Sequence, residues 1–160
     1  MTKLIRPMDE PTEWVKYADN HFLKINKRGL DYFENALFDE NNDVIFEKYY
    51  EVTFDIYNGS HLLSSVSQKI HPTLKENQLL NNQRDNITLI HDYLKLNDHL
   101  SYSQSLFLTY LNDEESRLFK KNVGEPILML KKKVFDYQKL VLYEEELAQI
   151  DAYIFKEGKF

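Results

Sequence analysis

The stretch from Asn112 to Phe155, NDEESRLFKKNVGEPILMLKKKVFDYQKLVLYEEELAQIDAYIF, constrains the fold most, because each of its steps carries its own local signal. Asn112 or Asp113 is suited to cap a helix, its short side-chain oxygen accepting a hydrogen bond from an otherwise unpaired backbone N–H. Glu115 stands three residues after Asn112, as a capping box requires. The helix turns Leu118 and Phe119 inward and is expected to end at Gly124, where φ > 0 costs little without a Cβ. Pro126 disfavours helix for Glu125 and opens an extended run. From Ile127 to Phe135 the residues are β-branched, aliphatic and aromatic, interrupted by Lys131, Lys132 and Lys133. Asp136 to Lys139 form a polar turn, and Leu140 to Ile150 alternate as a returning strand. The predicted module is helix, Gly-Glu-Pro, strand, turn, strand.

Upstream, Val44 to Tyr57 (VIFEKYYEVTFDIY) is the longest strand-like run. Asn58-Gly59 is a hairpin turn signal, since both central positions of a type I′ turn want φ > 0. His61 to Ile70 returns as its partner, and His71-Pro72 breaks it. Asp39 to Asp43 is a dense turn signal. Residues 1–12, with Pro7 and Pro11 among charges, read as a tether, and residues 13–160 as one domain. Thr12 is suited to cap the segment carrying Trp14, Val15, Phe22 and Leu23, which lacks a clean period. Gly29 to Phe38 mixes helical and strand periods. Lys75 to Asn86 is polar and leads to a predicted helix over Ile87 to Leu96, and Ser101 to Leu111 is extended. Strands in hairpins with interspersed helices, without βαβ alternation, predict an α+β fold with a largely antiparallel sheet.

The C-terminal module resembles the end of the UTRA domain, the effector-binding domain of GntR/HutC-family bacterial transcription regulators. The residues that carry the likeness are Gly124, Pro126, Phe135-Asp136, Tyr143 and the run Gln149-Ile150-Asp151-Ala152-Tyr153-Ile154-Phe155. The resemblance implies a chorismate lyase-like α+β fold, an antiparallel sheet flanked by helices with the ligand between them. It also implies a homodimer whose arrangement a small-molecule effector shifts, and an N-terminal winged helix-turn-helix domain through which DNA is bound. No counterpart of that domain is expected in this chain.

Composition narrows the function. The net charge is −6 and there are only four arginines, Arg6, Arg28, Arg84 and Arg117, so DNA binding by this chain alone is not expected. Lys131-Lys132-Lys133 reads as a solvated sheet face paired with Glu144-Glu145-Glu146 on the returning strand. Cysteine is absent, which removes disulfides, thiolate nucleophiles and Cys-ligated metals. The five histidines show no metal-ligand spacing, and with four glycines there is no phosphate-cradling loop. No cofactor, metal or membrane association is expected, and a cytoplasmic protein is the default.

The resemblance also places a candidate site. Family members that sense phosphorylated sugars carry arginines on the strand before the first hairpin turn. Those positions fall here on Tyr49 and Glu51, or on Thr53 and Asp55. The family's glutamate of the returning strand aligns near Ser65, its Ser-Leu helix start with Thr88-Leu89, and the arginine of its last strand with Gln149. Tyr143, Glu145 and Gln149 share a strand face by period two. The candidate ligand set is therefore Thr53, Asp55, Ser65, Thr88, Tyr143, Glu145 and Gln149, with no catalytic residue. Without strand arginines, the expected effector is uncharged or cationic, or a sugar whose phosphate is gripped in a different way. A chorismate lyase-like enzyme and a dimerising scaffold without ligand are the alternatives.

Overall fold

The computed structural model describes residues 2–7, 14–16, 23–39, 41–73 and 99–157. Its strands are β1 (Thr2–Ile5), β2 (Leu23–Phe38), β3 (Val44–Asn58), β4 (His61–Ile70), β5 (Leu100–Tyr110), β6 (Pro126–Asp136), β7 (Lys139–Ala148) and β8 (Ile154–Glu157). Helix α1 spans Asp113–Phe119, and a 3₁₀ turn spans Ile150–Ala152. The fold is α+β. Six strands form one antiparallel sheet in the order β2-β3-β4-β7-β6-β5, and β1 pairs antiparallel with β8 in a second, two-stranded sheet.

Local chemistry accounts for most of these elements. Asn112 accepts from the Glu115 N–H at 2.8 Å while Glu115 accepts from the Asn112 N–H at 3.0 Å, so the capping box is formed. Helix α1 ends earlier than expected, because Lys120 takes the left-handed conformation at φ 55° and donates back to Arg117 and Ser116. Gly124, at φ 85°, lies instead in the turn that delivers Pro126. The β3–β4 turn is centred one residue later than predicted, on Gly59-Ser60, with Gly59 at φ 63°. Gly29 to Phe38, which mixed both periods, belongs to a strand of 16 residues.

The stretch read as a tether holds a strand among its described residues, 2–7. Residues Thr2–Ile5 hydrogen-bond to Ile154–Glu157, and Arg6 and Pro7 behind them are buried. Arg6 reaches the core face of the large sheet at Glu144 and Glu146, and the core on that face includes Val52, Phe54, Ile56, Val66, Leu130, Val134 and Leu142. Trp14, 1% exposed, packs into this core and donates its indole N–H to the Ala152 carbonyl at 3.0 Å. Each such aliphatic side chain removed from water contributes about 1.5–3 kcal/mol.

The acidic run of β7 also departs from expectation. Glu144 and Glu146 are not solvated partners of the lysines, because both are 1% exposed on the core face. Arg6 reaches Glu144 Oε2 at 3.0 Å and Glu146 Oε1 at 3.4 Å. Gln68 donates to Glu144 at 2.9 Å, and the Tyr153 hydroxyl donates to Glu146 at 2.6 Å. Carboxylates are kept buried only where such donors replace water. Burial, then the charge of Glu146, raises the pKa of Tyr153 well above its ordinary value and keeps it a donor.

Candidate functional site

The opposite face of the large sheet is polar, and the strand registers determine which side chains meet there. One row across the strands runs Gly29, Thr53, Ser67, Glu145, Lys131, Ser105, and the next runs Asp31, Glu51, Lys69, Tyr143, Lys133, Ser103. Asp55 and Ser65 begin a third row. Five of the sequence-predicted residues, Thr53, Asp55, Ser65, Tyr143 and Glu145, therefore share this face.

A cavity of about 470 Å³ opens over part of this face. Its far wall is the end of β2, because the β2–β3 hairpin bends back over the sheet. Leu37 and Tyr49 of the hairpin pack with Phe135 and Leu140, and the Tyr49 hydroxyl donates to the Leu140 carbonyl at 2.9 Å. Lys133 donates to the Phe38 carbonyl at 3.1 Å, tying the arm to β6. The ionisable side chains lining the cavity are Lys69, Lys131, Lys133, Glu145 and Tyr143, with β5 contributing Ser103 and Ser105.

The electrostatics of this lining are unbalanced. Three ammonium groups face one carboxylate. Lys131 lies 4.0 Å from Glu145, and the Lys69 ammonium lies 5.8 Å from the Tyr143 ring centroid, within cation–π range. Tyr143 donates its hydroxyl to Glu145. Burial first, then the hydrogen bond and charge of Glu145, raise the Tyr143 pKa well above the usual phenol value, so it stays protonated. The remaining lone pairs of Glu145 are acceptors for a hydroxyl or amine, and the lysines are donors for an anion.

Beside the cavity, Thr53, Asp55 and Ser65 are gathered around a residue absent from the predicted set. Arg28 comes from β2, where the register shifts between Lys27 and Gly29. Its Nε lies 2.7 Å from Asp55 Oδ2, and its terminal nitrogen donates to Ser65 Oγ at 2.9 Å. Asp55 is 2% exposed, and its Oδ1 has no hydrogen-bond partner among the described residues. A Cβ on Gly29 would stand 3.3 Å from Thr53 Oγ1, so glycine permits this close approach of β2 to β3. The sequence did hold a signal: a lone glycine in a strand-like run marks a bulge, and a bulge re-aims a side chain.

Of the predicted residues only Tyr143 and Glu145 line the cavity itself, and Gln149 lies away from this face. Gln149 lies just beyond the end of β7, where its amide donates to the Leu62 carbonyl at 2.5 Å. It lines a separate cavity of about 370 Å³ between the β3–β4 turn and the end of α1. Thr88, with the predicted helix over 87–96, lies outside the described residues. Among the described residues no group of three or more His, Asp or Glu side chains is placed to hold a metal ion, and no helix is long and apolar enough to cross a membrane.

This architecture is the fold of the ligand-binding domains of GntR-family transcriptional regulators. The chain is similar to the ligand-binding domain of a regulator assigned to that family from Bordetella bronchiseptica. The TM-score is 0.67 at 9% identity, covering 98% of this chain and 96% of that one. It is similar to the C-terminal domain of the histidine utilization repressor from Pseudomonas syringae pv. tomato, with a TM-score of 0.61, 13% identity and coverage of 86% and 99%. The effector domain of PhnF from Mycobacterium smegmatis gives a TM-score of 0.60 at 12% identity, with 90% of both chains covered. No family model matches the chain, and no curated protein matches it in sequence.

Proposed function

We propose that the protein is the effector-binding domain of a bacterial transcription regulator, and that its effector is a small organic anion held in the lysine-lined cavity. The observation that carries this reading is the cavity itself. It is roofed by the β2–β3 arm and lined by Lys69, Lys131 and Lys133 opposite the Tyr143–Glu145 pair, on the fold of domains described as ligand-binding. A phosphate or carboxylate fits the ammonium groups, and a hydroxyl or amine of the same molecule fits Glu145. Of the effector chemistries open from the strand residues, the lysines favour an acidic group gripped in a different way from the arginine clamp.

The mechanism is a population shift. A ligand bridging the hairpin arm and the sheet binds one arrangement of the arm better than another, and the favoured arrangement sets the geometry of a homodimer that positions DNA-binding domains. Native mass spectrometry of the purified protein and calorimetric titration with glucose and glucose 6-phosphate test the reading. Binding of the phosphate, absent for the neutral sugar and weakened in Lys131→Ala and Lys133→Ala, is expected. Binding of neutral sugars with affinity unchanged in both variants would overturn the assignment of the cavity.

A further inference from the structure

We infer that the cavity is completed by a second copy of the chain, paired along the outer edge of β5, whose Phe107 forms the cavity's missing wall. The inference rests on the reading of the cavity as the effector site. Strand β5 is an edge strand with no neighbour on its outer side among the described residues. Its side chains stand unusually open: Tyr102 is 68% exposed, Leu108 56% and Tyr110 63%, with Leu106 and Phe107 at 40% and 42%. Residues 101–111 contain no charge, in a chain where 29% of residues are charged. Edge strands that face water are normally protected by lysine, proline or a bulge, and β5 has none of these.

The occupant that fits is a second β5. An edge of 11 residues is about 37 Å long, and with side chains on both faces such a strip covers on the order of 700 Å² per protomer, close to the ~800 Å² of a stable interface. The charges nearest the edge are already engaged one strand inward: Lys131 lies 5.7 Å from the Phe107 ring centroid and Lys132 5.5 Å from that of Tyr102. Antiparallel pairing about a two-fold axis at Ser105 sets the partner's Phe107 opposite Ser103. An axis at Leu106 sets it opposite Ser105. Paired residues share a face, and Ser103 and Ser105 both line the cavity. In either register the aromatic ring of the second copy lands beside the lysines.

The absence of cysteine makes the test clean. In full-length protein, Ser103→Cys/Phe107→Cys and Ser105→Cys/Phe107→Cys should each be oxidised under mild conditions, and one of them should give a covalent dimer on a non-reducing gel. Two residues two or four apart on one extended strand are too distant or misdirected to bridge within a chain. Thiol labelling of Ser103→Cys should slow several-fold as concentration rises, and return to the fast rate when Leu108→Lys is added on the opposite face. Failure of both pairs to cross-link, or labelling indifferent to concentration, would overturn the inference. A Leu108→Lys monomer that binds glucose 6-phosphate as tightly as the parent would also overturn it, while leaving the effector reading intact. Cross-linking and protection without binding of any anion tested would uphold the shared wall and remove the effector reading instead.

Discussion

Tyr143, Glu144, Glu145 and Glu146 are consecutive on β7, and alternation sends them into two different environments. Tyr143 and Glu145 are half-buried on the cavity face, with lysines around them. Glu144 and Glu146 are sealed on the core face with Arg6, Gln68 and Tyr153. The same residue type thus does two jobs on one strand. On the core face every carboxylate is held by donors of the chain itself, so charge there serves structure. On the cavity face the donors outnumber the acceptors, so charge there is available to a ligand.

The largest effect that would break this comparison is expected from Arg6→Ala. Removing the guanidinium leaves two carboxylates in a dry environment, a loss of about 3–5 kcal/mol, visible as a large fall in the urea midpoint. Glu145→Gln on the other face should change stability by less than about 0.5 kcal/mol. A mild Arg6→Ala would mean that water reaches Glu144 and Glu146 and that the two faces do not differ.

Next in size, Lys131→Ala and Lys133→Ala should each weaken an anionic ligand by about tenfold to a hundredfold, the worth of a charge-assisted hydrogen bond. Their thermal midpoints should barely move, because both side chains are half-exposed. A smaller effect separates the two tyrosines. Tyr153→Phe leaves Glu146 short of a donor and should cost about 1–3 kcal/mol. Tyr143→Phe should alter titration by ligand more than it alters unfolding, and equal destabilisation by both would erase the distinction.

The smallest effect concerns alkaline pH. Burial is the leading cause of the raised pKa values of Tyr49, Tyr143 and Tyr153, whose ordinary value is 10.0. The folded state therefore retains protons that the unfolded chain releases. Stability is fully present below about pH 10 and declines as pH rises beyond it. Tyr153→Phe should flatten that decline, and a pH-independent urea midpoint between 9 and 11 in the parent protein would contradict the burial of these phenols.

Legibility in the sequence followed the range of the interactions. The hairpins β3–β4 and β6–β7 and the Asn112–Glu115 box were readable because turn and cap chemistry lies within a few residues. Tyr143 and Glu145 could be placed together by period two alone. Gln149 could not, since β7 ends at Ala148 and a 3₁₀ turn follows. Strand β2 was obscured by the shift at Lys27/Gly29, which also hid the approach of Arg28 to Asp55. Strand β1 was illegible for a different reason: the partners of Thr2–Ile5 lie at the far end of the chain, and no local pattern announces them. The same distance hid Arg6 from Glu144, 138 residues away.

The pairing of Thr2 with Glu157 has a mechanical consequence. The antiparallel ribbon brings both chain directions out at one end, so a load that separates them opens the ladder one rung at a time instead of shearing all rungs together. A body tethered ahead of β1 and tugged away from the sheet would meet little resistance until the zipper reaches Arg6. There the guanidinium locked between Glu144 and Glu146 acts as a detent. Single-molecule traces taken through the two ends should show a soft first extension, followed by a distinct rupture at that catch.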